Sequence, residues 1–197
     1  MKVFVVGGTG TIGAAVAAAL EANKHEVMRA SRKVAPTIDI SDPESIRGFF
    51  AEVKDVDAIV SCAGEARFAP LEKLTDEDFL FSVRNKLLGQ VNLVRFGLPV
   101  VREKGSITVT SGVLSKLPMT GSGAVSLVNA GVEGFTRVAA LEATRGVRVN
   151  VVCPGWVKET MVKFGMDPTP GKAAADVARA YVEAVEGSMT GQTIEPK

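Results

Sequence analysis

A glycine-rich stretch near the start of the chain, from Val6 to Gly13, has the spacing of a phosphate-binding turn. Its sequence is VGGTGTIG, with a short apolar run before it and an alanine-rich helical pattern after it. Glycine lets the backbone turn tightly and approach a pyrophosphate, whose charge then meets the free N–H groups of the following helix. The spacing therefore predicts a dinucleotide site, although a turn that simply needs a positive φ has a similar composition. The expected contacts are Gly7, Thr9, Gly10, Thr11, Ile12 and Gly13.

A second candidate site lies at the end of the next predicted strand, where the sequence is Ser31-Arg32-Lys33. An NAD site places an acidic residue near this position, and a carboxylate there would repel the 2′-phosphate of NADP. A serine hydroxyl and two cations suit a phosphate instead. We therefore expect NADP(H) as the cofactor, with Ser31 and Arg32 at its 2′-phosphate. The alternative is a solvated turn in which Arg32 and Lys33 bind nothing.

A third stretch, from Gly121 to Gly131, lies where catalytic groups are common, in the loop and first turns of a helix that follows a strand. It contains no His, Cys, Asp, Glu, Lys or Tyr. A proton donor for a reaction at this edge must therefore come from another part of the chain.

Short apolar runs alternate with longer helical patterns, which indicates a parallel α/β sheet. The expected strands span residues 2–6, 26–30, 37–40, 57–61, 106–110, 147–152 and 192–195. The expected helices span residues 11–23, 75–98, 124–144 and 173–186, with a further helix from Pro43 capped by Ser41 or Asp42, and residues 158–172 form a predicted loop. Right-handed crossovers make this a Rossmann-type doubly wound parallel sheet with helices on both faces, in a single domain over residues 1–197.

The composition limits the classes of function. The chain has 197 residues and a formal net charge of +1 with no block of like charges, so we expect neither a nucleic-acid partner nor an acidic membrane partner. No apolar run approaches the roughly 18 residues of a membrane span, and the first residues lack a secretory signal pattern. Two isolated cysteines and a single histidine predict a cytoplasmic protein without a metal site.

Five motifs, in the same order along nearly the whole chain, resemble the short-chain dehydrogenase/reductase family. They are the glycine turn, Asp39-Ile40, the segment SCAG at 61–64, the segment NAGVEGFT at 129–136 and the segment NVVCPGWV at 150–157. The resemblance implies further cofactor contacts from Asp39, Ile40, Cys62, Ala63, Gly64, Pro154, Gly155 and Val157. It also implies a homodimer or homotetramer, paired through the helices at 75–98 and 124–144; the alternative is that small residues in these helices only serve packing on the sheet.

The family's usual catalytic residues are absent. Its members carry Tyr-x-x-x-Lys, an upstream Ser and a helix Asn, and the alignment places Val125 at the tyrosine and Asn129 at the lysine. The serine position falls on Gly112, and the asparagine position falls on Lys86. The one tyrosine of the chain, Tyr181, lies in the last predicted helix, where we expect it to pack.

Four residues are candidate substitutes in catalysis: Ser111, Ser126, Asn129 and Lys86. Ser111 either bonds a substrate carbonyl or bonds its own backbone in a turn. Lys86 has a titratable ammonium whose pKa shifts if it is buried; the alternative is an ordinary solvated helix lysine. Asn129 can hold a ribose hydroxyl but cannot carry a proton at neutral pH.

These observations support two functions. The first is an NADP(H)-dependent oxidoreductase that transfers a hydride to or from a small carbonyl or conjugated carbonyl compound, since the cofactor supplies the difficult chemistry. The alternative is a non-catalytic NADP(H)-binding sensor or interaction protein on the same fold. The sequence does not identify the small-molecule substrate.

Overall fold

The computed structural model describes residues 1–197 and contains a six-stranded sheet in the order β2-β1-β3-β4-β5-β6. All neighbouring strands are parallel. In the sheet, β2 lies next to one edge of β1 and β3 lies next to the other edge. The direction of the strand order therefore reverses at β1, and a crevice opens at the carboxyl ends of β1 and β3. The predicted Rossmann-type sheet is confirmed. The strands are β1 (Lys2–Val6), β2 (Glu26–Ala30), β3 (Val56–Ser61), β4 (Val101–Thr110), β5 (Arg148–Val152) and β6 (Thr193–Ile194).

The chain has seven α-helices, and five of them cover the two faces of this sheet. α1 and α7 pack together on one face, and α2, α4 and α5 lie on the other. No helix combines the length and apolar character needed to cross a bilayer. The helices are α1 (Thr11–Ala22), α2 (Pro43–Glu52), α3 (Asp76–Ser82), α4 (Gly89–Gly97), α5 (Gly123–Glu142), α6 (Lys158–Lys163) and α7 (Ala174–Glu186).

The two faces of the sheet have separate cores because side chains alternate along each strand. In β1, Val3 and Val5 pack beneath α1 and α7, whereas Phe4 and Val6 belong to the core on the opposite face. All four are at most 2% exposed. Burial of each such side chain contributes roughly 1.5–3 kcal/mol, which explains why the strands are nearly continuous apolar runs.

Two helix starts follow the expected capping chemistry. The Asp42 side chain accepts the backbone N–H of Glu44 at 2.9 Å, with Pro43 in the first turn, so Asp42 rather than Ser41 is the cap. At α3, Thr75 and Asp78 form a reciprocal capping box. These local contacts set the points where the helices leave the loops at the sheet edge.

The predicted strand at residues 37–40 is wrong. Only Thr37 forms an isolated bridge, with Ser31. The backbone N–H of Asp39 donates to Ser45 Oγ, and the Asp39 carboxylate accepts from the backbone and hydroxyl of Ser41. These side-chain bonds replace the strand ladder and turn the chain towards α2.

The predicted helix at residues 75–98 is helical throughout but not regular. A π-helical segment, Val83–Leu88, separates α3 from α4 and carries Lys86. Such segments insert one residue into a turn and often occur at functional sites. The predicted loop at 158–172 contains α6, the predicted strand at 106–110 begins earlier, at Val101, and the last strand is shorter than expected.

Two small residues of the two long helical regions, Gly89 and Gly131, pack closely against other parts of the chain. A Cβ on Gly89 would lie 2.8 Å from the carbonyl oxygen of Ile40, and one on Gly131 would lie 3.0 Å from Leu87. Their smallness is therefore explained by packing, and the homodimer or homotetramer stays a prediction.

Candidate active site

The glycine turn lies at the carboxyl end of β1, beside the end of β3. Gly7 has φ +77°, in the left-handed region, and a Cβ on Gly13 would lie 2.2 Å from the Gly7 carbonyl oxygen. The backbone N–H of Cys62 donates to the carbonyl of Val6 at 2.8 Å, which joins the two strand ends. The first turn of α1 therefore packs directly on the loop and leaves its N–H groups facing the crevice.

A first cavity of about 350 Å³, called here the nucleotide groove, runs from the glycine turn to the end of β2. Its polar end has the cations Arg32 and Lys33 and the carboxylates Asp39 and Glu65. Of the predicted cofactor residues, the groove brings together Gly7, Thr9, Gly10, Ser31, Arg32, Asp39, Ile40, Cys62, Ala63 and Gly64.

Arg32 already has a carboxylate partner in this groove. Its Nη2 atom lies 2.5 Å from Glu65 Oε1, and both side chains are 54% exposed. The Ser31 Oγ accepts the backbone N–H of Val34 at 3.0 Å, which orders the loop beside them. The sequence reasoning missed Glu65, although it directly follows the SCAG motif at the end of β3. A 2′-phosphate would have to displace Glu65 from Arg32.

A second cavity of about 630 Å³, called here the apolar cavity, continues from the groove past Cys62, Ala63 and Gly64, which line both. No acidic side chain lines it, and Lys86 is its one cation. Its apolar wall consists mainly of Phe68, Val113, Leu114, Met119, Val125, Trp156, Phe164 and Met166. The predicted cofactor residues Ile12, Pro154, Gly155 and Val157 also line it, as do Lys86, Ser111 and Asn129.

Lys86 is held in the apolar cavity and is not an ordinary solvated lysine. Its Nζ donates to the carbonyl of Ser111 at 3.2 Å, and its side chain runs past Gly64, where a Cβ would lie 3.0 Å from Lys86 Cγ. Burial lowers the pKa of Lys86 from 10.5 to about 8, because the cavity solvates an ammonium poorly. The side chain therefore carries a proton that can be exchanged near neutral pH.

Ser111 takes neither of the two roles expected of it. Its hydroxyl donates to Glu133 Oε1 at 2.9 Å, so the hydrogen points away from a substrate carbonyl and is not bonded to the backbone. The same oxygen of Glu133 accepts from Ser115 Oγ at 2.6 Å. Ser111 is 2% exposed and Glu133 7% exposed. Ser111 thus contributes its backbone carbonyl to Lys86, and Glu133 positions the loop.

Asn129 has one satisfied and one unsatisfied polar atom. Its Nδ2 donates to the carbonyl of Gly112 at 3.2 Å, while its buried Oδ1 has no hydrogen-bond partner. A buried acceptor without a partner costs about 1–3 kcal/mol. A hydroxyl entering this end of the apolar cavity would satisfy it, which fits a ribose. The sequence could have revealed Glu133 as well, since it lies four residues after Asn129 on the same helix.

Tyr181 packs in the core, as expected, and lines neither cavity. Its hydroxyl lies 2.7 Å from Thr110 Oγ1, and burial raises its pKa well above the usual value. Burial likewise raises the pKa of Cys62 to about 12. Neither group exchanges a proton with a ligand at neutral pH, so Lys86 is the titratable side chain of the apolar cavity that can do so.

The end of β4 is anchored by a side-chain amide. Gln90 Nε2 donates to the carbonyl of Thr110 at 2.5 Å, and the N–H of Thr110 donates to Gln90 Oε1 at 2.7 Å. The pairing of β3 with β4 ends at Val60 and Thr108. The two bonds to Gln90 therefore take the place of hydrogen bonds to β3 at Thr110. The amide therefore fixes Ser111, whose carbonyl holds Lys86.

Two predicted residues lie outside both cavities. Gly13 is packed against Gly7, and Thr11 accepts a hydrogen bond from Lys163 Nζ at 2.6 Å. The structure contains no group of three or more His, Cys, Asp or Glu side chains that could hold a metal ion.

Comparisons with known proteins identify the family of the chain. Residues 7–187 match a family model described as enoyl-(acyl carrier protein) reductase. The oxidoreductase UcpA of Escherichia coli is 30% identical over 143 residues, which cover 68% of this chain and 54% of UcpA, so the chain spans about half the length of that relative. The solved structure of lin1944 from Listeria innocua is 37% identical, with a TM-score of 0.94 and full coverage of both chains.

A second solved structure, a small-chain dehydrogenase in complex with NADPH, is 31% identical, with a TM-score of 0.88 over 98% of this chain and 95% of that one. The extent of the family match and these likenesses define the class of the protein. The chain belongs to the short-chain dehydrogenase/reductase family.

Proposed function

We propose that the protein is an NADP(H)-dependent oxidoreductase that transfers a hydride to or from a small carbonyl or conjugated carbonyl compound. The observation that carries the proposal is the Lys86 ammonium, held by the Ser111 carbonyl in an apolar cavity that continues from a nucleotide groove. Membership of the family supports it, as does the 31% identical dehydrogenase whose structure contains NADPH.

The residues of both cavities fit the cofactor. The tight packing of Gly13 on Gly7 gives a backbone cradle for the pyrophosphate, and Arg32 and Lys33 supply charge for the 2′-phosphate. The unpaired Oδ1 of Asn129 suits a ribose hydroxyl. The bound nicotinamide supplies the hydride.

Lys86 is the proton donor for carbonyl reduction in this proposal. An ammonium has three N–H donors; one bonds the Ser111 carbonyl, and another is free for a substrate oxygen in the cavity. After donation, Lys86 remains as a neutral amine, which the poorly solvating cavity favours. A pKa of about 8 suits a general acid near physiological pH.

The walls of the apolar cavity define the substrate class. They consist mainly of aliphatic and aromatic side chains and include no carboxylate. Such walls exclude water from the carbonyl and penalise a charged substrate, since burial of an unpaired charge is costly. The substrate is therefore a small uncharged carbonyl or conjugated carbonyl compound.

A two-stage experiment tests the proposal. Trp156, the only tryptophan, lines the apolar cavity and reports on titration with NADPH and NADH. We expect quenching or energy transfer and about tenfold tighter binding of NADPH, the size of one charge-assisted contact. Uncharged aldehydes, ketones and enones are then added to the NADPH complex, and loss of nicotinamide fluorescence is measured. Binding without oxidation across such a panel would instead support the non-catalytic sensor.

A further inference from the structure

The short helix α6 brings a cation to the start of α1. Lys163, the last residue of α6, donates through Nζ to Thr11 Oγ1 at 2.6 Å, although the two residues are 152 positions apart. Thr11 is the first residue of α1, directly after Gly10 of the glycine turn. Lys163 therefore lies beside the backbone cradle described above.

The first residues of α6 are held by hydrogen bonds to the segment before α7. The N–H of Lys158 donates to the carbonyl of Lys172, and the N–H of Lys172 donates to the carbonyl of Trp156, each at 2.8 Å. The Glu159 carboxylate accepts the N–H of Ala174 at 3.0 Å. These bonds hold α6 between β5 and α7 and direct its last turn towards α1.

The positive charge at the start of α1 has no acidic side chain beside it. The amino end of a helix carries a partial positive charge and free N–H groups, which favour anions and disfavour cations. α1 has no acidic residue in its first turn and no side chain that caps it. Lys163 adds a full positive charge to this end, and its one recorded partner there is a neutral hydroxyl. An anion that binds the free N–H groups of the helix end would therefore also lie beside the Lys163 ammonium.

We propose that Lys163 is a pyrophosphate-binding residue, which closes the cofactor cradle from the side opposite the glycine turn. This inference rests on the proposed function, since the anion is the pyrophosphate of the nicotinamide nucleotide. Thr160 and Phe164 of the same segment line the apolar cavity.

Nucleotide affinities of matched variants test the inference. Lys163→Gln is compared with Lys158→Gln, which removes an exposed lysine from the other end of α6. Because NADPH and NADH share the pyrophosphate, Lys163→Gln weakens the binding of both nucleotides by the same factor, about tenfold at low salt. The effect is smaller at high salt because ions screen the charge. Lys158→Gln changes both affinities less than about twofold. Arg32→Gln weakens the binding of NADPH but not that of NADH.

A second readout needs no substitution. NADPH slows acetylation of Lys163 by an amine-reactive reagent in the wild-type protein and leaves acetylation of Lys158 unchanged, as measured by mass spectrometry of the peptides. If the wild type binds NADPH and Lys163→Gln behaves like Lys158→Gln, this inference is wrong and the proposed function stands. A loss confined to NADPH also overturns it, because the contact would then be to the 2′-phosphate. If the wild type binds neither nucleotide, both proposals fail.

Discussion

The Nζ atom of Lys86 lies 3.2 Å from the carbonyl oxygen of Ser111, beside Gly64, where the nucleotide groove and the apolar cavity meet. Two structural features produce this contact: the π-helical segment that carries Lys86 and the Gln90 amide that fixes the end of β4. Lys86 is thus the one titratable group held at the junction that can donate a proton near neutral pH.

Replacement of Lys86 by Met should slow carbonyl reduction by about 100-fold or more, the usual contribution of a positioned acid. In the wild type, the rate falls as pH rises through about 8, because the ammonium is lost there. The variant lacks this decrease, and its NADPH affinity stays close to that of the wild type. Single-turnover rates across pH measure both effects. Lys54→Met, at an exposed site in the loop before β3, is the control; an unchanged rate in Lys86→Met would exclude Lys86 as the acid.

The same substitution should raise the free energy of unfolding at pH 7 by roughly 1 kcal/mol. Conversion of the whole pKa shift at about 1.4 kcal/mol per unit would give a larger value. The expected gain is smaller because Lys86 is partly exposed to solvent. The folded protein holds a charge in a cavity that solvates it poorly. Between pH 8 and 10.5 the unfolded chain keeps this proton while the folded chain loses it, so the wild type gains stability from Lys86 as pH rises. Urea unfolding at pH 7 and pH 10 should show the advantage of the variant shrinking at the higher pH. An advantage that grows with pH would contradict the burial of Lys86.

Glu65→Gln should tighten NADPH binding by about threefold, the size of an exposed ion pair. The carboxylate competes with a 2′-phosphate for Arg32 and repels it, since the Arg32–Glu65 distance is 2.5 Å. NADH has no 2′-phosphate, so its affinity should change little. Calorimetric titrations at low and high salt measure the effect, which should decrease with salt. Glu103→Gln, at an exposed position near the start of β4, is the matched control. If Glu65→Gln tightened the binding of NADH equally, Arg32 would not bind the 2′-phosphate.

Gly13→Ala should lower the free energy of unfolding by about 3 kcal/mol and abolish nucleotide binding, because its Cβ would lie 2.2 Å from a backbone oxygen that cannot move aside cheaply. Gly48→Ala is the contrasting variant. Gly48 lies within α2, and a Cβ there would meet no other atom within 4 Å. The free energy of unfolding should therefore increase by about 0.5–1 kcal/mol. Thermal unfolding of the two variants distinguishes them, and a stable Gly13→Ala protein would disprove the tight turn.

Tyr181→Phe should cost about 1 kcal/mol of stability through the lost hydrogen bond with Thr110. Its turnover and pH profile should follow those of the wild type, since Tyr181 lines neither cavity. Denaturant unfolding and single-turnover rates measure the two properties. A loss of turnover comparable to that of Lys86→Met would show that the only tyrosine takes part in the chemistry.

Much of the fold could be predicted from local patterns. The apolar run of β1, the glycine turn and the alanine-rich α1 are encoded within a few residues of one another, and so are the caps at Asp42 and Thr75. Periodicity and capping act over one or two turns, so the sequence alone contains their cause. The parallel sheet followed from the alternation of these elements. No strand forms at 37–40 because the side chains of Ser45 and Asp39 accept the backbone N–H groups of Asp39 and Ser41, which a strand ladder would otherwise use.

The chemistry of the site was decided by contacts between distant segments. Lys86 is ionisable in any environment, but only its burial in the folded protein, beside Gly64, lowers its pKa. The partnership of Ser111 with Glu133, 22 positions away, likewise has no local signal. By itself the sequence therefore determined the sheet and the glycine turn. The tertiary structure decided which remaining side chains are buried, paired or unpaired, because desolvation and hydrogen bonding depend on neighbours that only folding brings together.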